Sequence, residues 1–295
     1  MGNQKLKKTR GGTRQSRRPL RQILEDLGLA GKIKIERSEQ ARLSNNYTRS
    51  LYMPSLDDII WAAISIRDPS VLREAVNGNQ AYSDVAGNDE FLRTLRYHPQ
   101  DLDVEEVNNL LVEFLKKWGC RLRNYHTVTA SNLKNCIVGI HPELLLIQNN
   151  SILDFDFLVR ENRERTERIF NSFWYYGSQI AKNCGPTATS ETLHIINPNL
   201  FMMWDDAIRH HHWILNNDII DSGRGYTLFL IETKEIAAQV VGEFIARYGE
   251  ADLGLWLSQR LNIDPPHSLV KFMDEFNWLA YMRRLSRFPD WVCPF

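Results

Sequence analysis

The sequence lacks the features of several structural classes, and these absences narrow its interpretation. Glycine and proline number only 16 and 11 among 295 residues, which excludes a collagen-like repeat and a chain dominated by linkers. Apolar runs such as Leu144–Ile147 are far shorter than the ~20 residues of a membrane span. The four cysteines are widely spaced, without a Cys-x-x-Cys pair and without a secretory leader before them. We therefore expect reduced thiols, no membrane partner, and an intracellular location in the cytoplasm or nucleus.

Common catalytic and cofactor motifs are also missing. The sequence has no Gly-x-x-x-x-Gly-Lys-Ser/Thr phosphate loop, no Gly-x-Ser-x-Gly elbow and no His-Glu-x-x-His pair. Three consecutive histidines, His210–His212, would point about 100° apart on a helix and could not share one metal ion well. The sequence predicts no metal site and no cofactor.

Acidic residues are absent from the first 24 positions, although the chain as a whole is neutral. Eight basic residues lie between Lys5 and Arg21, and the rest of the chain carries 28 basic against 36 acidic residues. We predict a disordered basic tail over 1–24, an N-terminal helical extension over 25–100 and a helical body over 101–295. The tail favours a polyanionic partner such as DNA, although a solubilising or targeting extension, or contact with the acidic body, also fits its composition.

Strand signals are few, whereas helical periodicity recurs along the chain. The clearest amphipathic helix is predicted over Asp101–Gly119, and an Asn- and Gly-rich polar loop is predicted over Asn77–Gly87. Two short β-rich segments, Asn124–Ala130 and Tyr226–Ile231, are isolated and do not alternate with helices. The pattern therefore predicts a mainly α fold, a compact multi-helix domain.

The most informative stretch is Asn183–Arg209. A helix is predicted to end at Cys184 or Gly185, and Pro186 suits the first turn of the next helix because its missing N–H has no helical partner there. The backbone amides of Thr187–Thr189 would then point outward, as at a phosphate-binding helix N-terminus. Asn197-Pro198 ends this helix, and Asp205 or Asp206 starts the one after it.

This order of hairpin glycine, short helix, Pro-x-x-Phe, apolar residues, aspartate and isoleucine resembles the central segment of the helix-hairpin-helix DNA glycosylase superfamily. The resemblance implies a glycosylase-like helical core, a role in DNA repair as a hydrolase, and Asp205 as the catalytic acid. It also implies a set of DNA-binding residues at the hairpin and after it: Gly185, Thr187, Ala188, Thr189 and Arg209. The family lysine that forms a Schiff base would fall at Thr187, which implies a monofunctional glycosylase without strand cleavage. Asn183 departs from the family pattern, because it replaces the first hairpin glycine.

Other interpretations of the same residues remain open at this stage. Asp205 and Asp206 could simply cap a helix, and Arg209 could pair with a neighbouring carboxylate instead of a phosphate. The aromatic block Phe173–Tyr176 could stack on an extruded base or could belong to the helix core. The chain could thus be a non-catalytic module that binds nucleic acid or protein, or an all-α protein unrelated to DNA.

The basic tail yields a first testable prediction. If residues 1–24 contact DNA, deleting them should weaken binding and flatten its salt dependence, because fewer counterions are released from the phosphates. The measurement is DNA affinity at several salt concentrations, with the full-length chain as reference. Equal affinity and an equal salt slope for both chains would reject this role of the tail.

Overall fold

The computed structural model describes residues 54–67, 73–118, 120, 127–180, 185–211 and 222–282. The chain divides into two units, Met1–Lys34 and Ile35–Phe295, and every described residue belongs to the second unit. The basic tail over 1–24 and the histidine at position 212 lie outside the described residues.

The described residues fold into helices and turns and contain no strand, so the predicted mainly α fold class is confirmed. Two elements contain more than one helical type. The element α4 begins as an α-helix at Val104–Glu106, continues as a π-helix at Val107–Val112 and ends as an α-helix at Glu113–Lys117. The helix α11 is followed by a π-helical segment at Trp278–Met282. The other helices, in chain order, are α1 Leu56–Ser65, α2 Arg73–Ala86, α3 Asp89–Tyr97, α5 Thr127–Leu145, α6 Arg160–Ile180, α7 Pro186–Ile196, α8 Asp206–His211, α9 Gly223–Tyr248, α10 Leu253–Arg260 and α11 Leu269–Asn277.

Side-chain caps explain where several of these helices begin. Each capping side chain accepts a hydrogen bond from a backbone N–H that has no partner inside the helix. The caps of α3, α4, α9, α10 and α11 are Asn88, Asp103, Ser222, Asp252 and Ser268. The C-terminus of α9 is closed by Gly249, which takes the left-handed conformation at φ 71° that glycine adopts without strain.

Two segments differ from the sequence-based predictions because burial outweighs local preference. The predicted polar loop Asn77–Gly87 is mostly helical and belongs to α2, whose Tyr82 and Val85 are buried. The predicted strand Tyr226–Ile231 lies inside α9, a helix of 26 residues. Its β-branched and aromatic residues are buried, and packing of this kind overrides intrinsic propensity.

The helix α5 is continuous through Pro142, and its first turn replaces part of a predicted strand. Thr127–Ala130, the described end of the other predicted strand, is the first turn of α5. Gly223–Gly225 form the first turn of α9, which Ser222 caps.

An aromatic core holds the segment that precedes Asp205. Tyr226 of α9 stacks on Phe170 of α6 with ring centroids 4.5 Å apart, and Trp204 lies 5.4 Å from Tyr226 and 5.8 Å from Phe170. The Tyr226 hydroxyl donates a hydrogen bond of 2.8 Å to the carbonyl of Met202. This bond satisfies a buried polar group and fixes the extended segment 201–204 against α9.

Helices on both sides of residue 100 pack together. α1 contacts α11, α2 contacts α4, and α7 contacts both α3 and α4. The helices assigned by sequence to the N-terminal extension therefore supply part of the surroundings of α7 and α11. Among the helices described, none is long and apolar enough to cross a bilayer.

Gly223 provides a test of this packing. A Cβ at position 223 would lie 2.4 Å from the carbonyl oxygen of Glu167, whereas a Cβ at Gly242 in the same helix would have no neighbour within 4 Å. We expect Gly223→Ala to lower the free energy of unfolding by about 1–3 kcal/mol through overpacking. Gly242→Ala should raise it by about 0.5–1 kcal/mol through the helix preference of alanine. Urea denaturation measures both, and equal effects of the two variants would contradict the close packing at Gly223.

Candidate functional site

The start of α7 lies where the local helix-end signals predict it. Pro186 is the first residue of the helix, Gly185 precedes it in an extended conformation, and the amide of Thr189 donates to the Gly185 carbonyl at 3.1 Å. Residues 181–184, which would complete the hairpin with the end of α6, lie outside the described part of the chain.

The candidate DNA-binding residues of this turn divide by exposure. Gly185 and Thr187 are half-buried, whereas Ala188 and Thr189 are buried. Only the first turn of α7 can therefore meet a ligand without a rearrangement, and the side chains of Ala188 and Thr189 belong to the interior.

Arg209 joins the start of α7 to the start of α8. Its Nη1 donates to the Thr187 hydroxyl at 3.0 Å and to the Trp204 carbonyl at 2.7 Å, and its Nη2 donates to Asp206 Oδ1 at 3.1 Å. The guanidinium also lies over the Trp204 ring, 5.7 Å from the centroid, and the residue is buried. Of the two interpretations left open by the sequence, the structure shows the carboxylate pairing of Arg209.

Asp205 is half-buried and caps α8. Its Oδ1 accepts a hydrogen bond of 2.9 Å from the Ile208 amide, and its carbonyl accepts one from the Arg209 amide. The capping interpretation of Asp205 is thus correct. A carboxylate that caps a helix can also stabilise a positive charge, so the cap by itself does not decide between the structural and the catalytic role.

Three further carboxyl groups are buried in the same region. Glu191 of α7 accepts a hydrogen bond of 3.0 Å from the Cys120 thiol at its Oε2, and Asp274 and Glu275 lie side by side on α11. We call Glu191, Asp205, Asp274 and Glu275 the carboxyl cluster. Glu191, Asp274 and Glu275 are buried, and Asp205 is the member that reaches solvent.

Two cations accompany the carboxyl cluster. Lys271 Nζ lies 3.4 Å from Asp274 Oδ2 and 3.7 Å from Glu275 Oε1. Both terminal nitrogens of Arg67 donate to Glu275, at 2.7 and 2.9 Å. Such a bidentate pair provides strong, oriented compensation for a buried carboxylate.

The environment moves the pKa values of these carboxyl groups in opposite directions. Burial raises the pKa of Glu191 well above its usual range, and the negative charges of Asp205 and Asp274 add to that shift. Burial also raises the pKa of Asp274 to about 7, against the opposing effect of Lys271. For Glu275, the effect of burial is outweighed by Arg67 and Lys271, which lower its pKa.

Two tryptophans border this cluster and remain partly exposed. Lys271 Nζ lies over the Trp118 ring, 4.4 Å from its centroid, and Trp118 meets Trp278 edge to face at 6.4 Å. Cys120, two residues after Trp118, is also partly exposed. The half-buried residues Trp118, Cys120 and Asp205 therefore lie around a buried acidic interior.

The aromatic block at the end of α6 is divided between the core and the surface in its described part. Phe173 is fully buried and belongs to the core, and Trp174 is half-buried. The side chains of Tyr175 and Tyr176 lie outside the description. His194 of α7 is also buried: its Nδ1 donates to the Phe201 carbonyl at 2.6 Å, and burial lowers its pKa to about 3, so it is neutral near pH 7.

Sequence reasoning missed Glu191, Lys271, Asp274 and Trp118. The signal that could have revealed α11 is the Lys271-x-x-Asp274-Glu275 pattern among apolar residues. Charged side chains within such a helix need partners when the helix is buried. No group of three or more His, Cys, Asp or Glu side chains that could hold a metal ion occurs among the residues that the structure describes.

Comparisons with family models, with curated proteins and with solved structures give no match for this chain. A functional interpretation therefore depends on the residues of the site.

The raised pKa of Asp274 predicts a pH dependence of stability. Between its unfolded value near 4 and its folded value of about 7, the folded state holds a proton that the unfolded state releases. The stability gained from this proton is complete below pH 4 and is lost as the pH rises to 7. The free energy of unfolding of the wild type should therefore fall, relative to Asp274→Asn, by at most about 1.4 kcal/mol for each pH unit in this window.

Urea denaturation of both proteins at pH 4.5, 5.5, 6.5 and 7.5 measures this difference. Asp154→Asn is the matched control, because Asp154 is an exposed carboxylate that accepts from Ser151 at the surface. A wild-type and Asp274→Asn difference that stays constant, or grows in favour of the wild type as the pH rises, would contradict the buried protonated state.

Proposed function

We propose that this chain is a DNA glycosylase-like protein that hydrolyses an N-glycosidic bond, with Asp205 as its catalytic carboxylate. The observation that carries the proposal is the position of Asp205: half-buried at the start of α8, joined through Arg209 to the first turn of α7, and adjacent to buried carboxyl groups. A site with strongly perturbed carboxyl pKa values beside a partly exposed acid is typical of catalytic centres.

Cleavage of an N-glycosidic bond passes through a sugar cation. The C1′–N bond breaks with its electron pair going to the base, and water then attacks C1′ and loses a proton. A carboxylate near C1′ stabilises the cation and can accept the proton of the water. Asp205 is suited to this role because it is the carboxyl of the cluster that reaches solvent.

Removal of a base from a duplex requires extrusion of the nucleotide and a surface that holds the base. The partly exposed pair Trp118 and Trp278 offers such a surface near the carboxyl cluster, because Lys271 contacts both Trp118 and Asp274. These two tryptophans take the place that sequence reasoning gave to the block beginning at Phe173.

A Schiff-base reaction finds no support in this arrangement. Thr187 occupies the position of the family lysine, and its hydroxyl accepts from Arg209. Lys271 is fully buried and paired with Asp274 and Glu275, so it is not an accessible nucleophile. The proposal is therefore a monofunctional hydrolysis that leaves an abasic site without cutting the strand.

A second candidate function is a non-catalytic module that binds nucleic acid or protein on the same scaffold. The helix cap formed by Asp205 and the burial of Arg209, Ala188 and Thr189 favour it, because these residues all have structural roles. Substitution of Asp205 by asparagine distinguishes the two candidate functions.

Asp205→Asn should abolish base release and leave DNA affinity nearly unchanged, because the carboxylate acts on charge that develops in the transition state. Loss of such an electrostatic contribution lowers the rate by about 100-fold or more. The assay uses labelled duplexes that each contain one uracil, hypoxanthine, 8-oxoguanine or 7-methylguanine. Alkali treatment afterwards cuts the strand at abasic sites.

The matched control is Asp103→Asn. Asp103 caps α4 as Asp205 caps α8, by accepting from backbone amides, and it is exposed. Asparagine caps a helix about as well as aspartate, so a purely structural effect would be equally small in both variants. Equal base release by the wild type and Asp205→Asn would assign catalysis to another residue. DNA binding without base release from any of the duplexes would favour the binding module.

A further inference from the structure

The contact between Cys120 and Glu191 has no role in the proposed reaction so far. Glu191 is 3% exposed, and its Oε2 lies 3.0 Å from the Cys120 Sγ, which donates the hydrogen bond. Cys120 itself is partly exposed, and the charge of the partly exposed Asp205 acts on the same Glu191. The thiol therefore lies between a buried carboxyl group and solvent.

Among the residues that the structure describes, no cation forms an ion pair with Glu191. Arg67 is committed to Glu275 by two hydrogen bonds, and Lys271 is shared between Asp274 and Glu275. The groups that act on Glu191 are the Cys120 thiol, the carboxyls of Asp205 and Asp274, and Lys271. Among the described side chains, the hydrogen-bond partner of Glu191 is therefore a thiol, and a buried carboxylate without a compensating charge is strongly disfavoured.

We infer that Glu191 carries a proton in the folded protein and supplies it, through the Cys120 thiol, to the base that leaves. The inference rests on the proposed glycosylase function and adds a proton donor to the Asp205 carboxylate. Glu191 acts through Cys120 and does not touch the substrate itself, so it is a positioning residue.

The step balances without a further reactant. The S–H of Cys120 first turns from Glu191 Oε2 toward the base nitrogen, and the protonated Glu191 carboxyl then donates to the sulfur. As the C1′–N bond breaks, the base nitrogen keeps the electron pair and takes the proton of the Cys120 S–H, while the sulfur takes the proton of the Glu191 carboxyl. Water adds to C1′, and its released proton returns to the carboxyl groups through Asp205. The products are a free base and an abasic sugar, and the thiol ends as it began.

The direction of the pKa shift at Glu191 agrees with this geometry. Burial is the largest cause of the raised pKa, and the charges of Asp205 and Asp274 act in the same direction. Two neighbouring carboxyl groups held in different protonation states, one neutral and one charged, can serve as acid and as stabilising base in glycoside cleavage.

Infrared difference spectroscopy tests the protonation of Glu191 independently of activity. Wild type minus Glu191→Gln at pH 7.5 should show the C=O stretch of a neutral carboxyl, because glutamine keeps the shape of the protonated acid but lacks this band. Wild type minus Asp274→Asn is the comparison, and its carboxyl band should be weaker at this pH because the pKa of Asp274 is about 7. Absence of the neutral band from the Glu191 difference spectrum overturns the inference.

Leaving-group dependence tests the donor role. Hypoxanthine needs a proton as it leaves, whereas 7-methylguanine is already cationic and leaves as a neutral base. Glu191→Gln should slow release of hypoxanthine by about 100-fold, within the usual contribution of a general acid, and should change release of 7-methylguanine by less than about fivefold. Cys120→Ala should show the same selectivity, and Cys120→Ser, which keeps an O–H, should recover most of the rate.

The outcomes separate this inference from the proposed function. An equal effect of Glu191→Gln on both bases, or no effect on either, overturns the donor role while leaving Asp205 in place. Release of neither base by the wild type overturns both the proposed function and the donor role. In that case the infrared measurement still decides whether Glu191 is protonated.

Discussion

Lys271 is fully buried on a helix whose residues from Val270 to Asn277 are all buried, and the arrangement of its neighbours follows from that charge. An ammonium group taken out of water requires close negative partners, which Asp274 and Glu275 provide one turn further along α11. The ring faces of Trp118 and Tyr82, 4.4 and 5.1 Å from Nζ, add cation–π contacts. Lys271 thus connects α11 to Tyr82 of α2 and to Trp118, the residue that follows α4.

The same charge explains why the interior contains two kinds of carboxyl group. Glu275 is held ionised by Arg67 and Lys271, whereas Glu191 has a thiol as its hydrogen-bond partner. A buried carboxyl group can be stabilised by a cation or by a neutral hydrogen-bond partner, and this interior contains both arrangements. Asp205 lies at the boundary with solvent and belongs to neither group, because its Oδ1 accepts a hydrogen bond from a backbone amide at the N-terminus of α8.

The sequence predicted those parts of the structure that depend on nearby residues. The start of α7 at Pro186 and the cap at Asp205 follow from local rules about helix ends, so both could be located from one short segment. Strand and loop predictions were wrong at Tyr226–Ile231 and Asn77–Gly87, where the tertiary packing of Tyr226 and Tyr82 decides the backbone conformation. The same limit applies to the site, because Cys120 and Glu191 meet across 71 positions of the chain and no local pattern encodes that contact.

The burial of α11 from Val270 to Asn277 has a consequence for motion in this protein. Backbone amides of a helix with no solvent-facing side exchange their hydrogens mainly when the whole unit unfolds, whereas half-buried segments open at lower free energy. Lys271, Asp274 and Glu275 therefore form a rigid floor beneath the site. Any adjustment to a bound molecule has to come from the half-buried residues Trp118, Cys120 and Asp205. Trp118 and Cys120 follow the C-terminus of α4, and Asp205 precedes the N-terminus of α8.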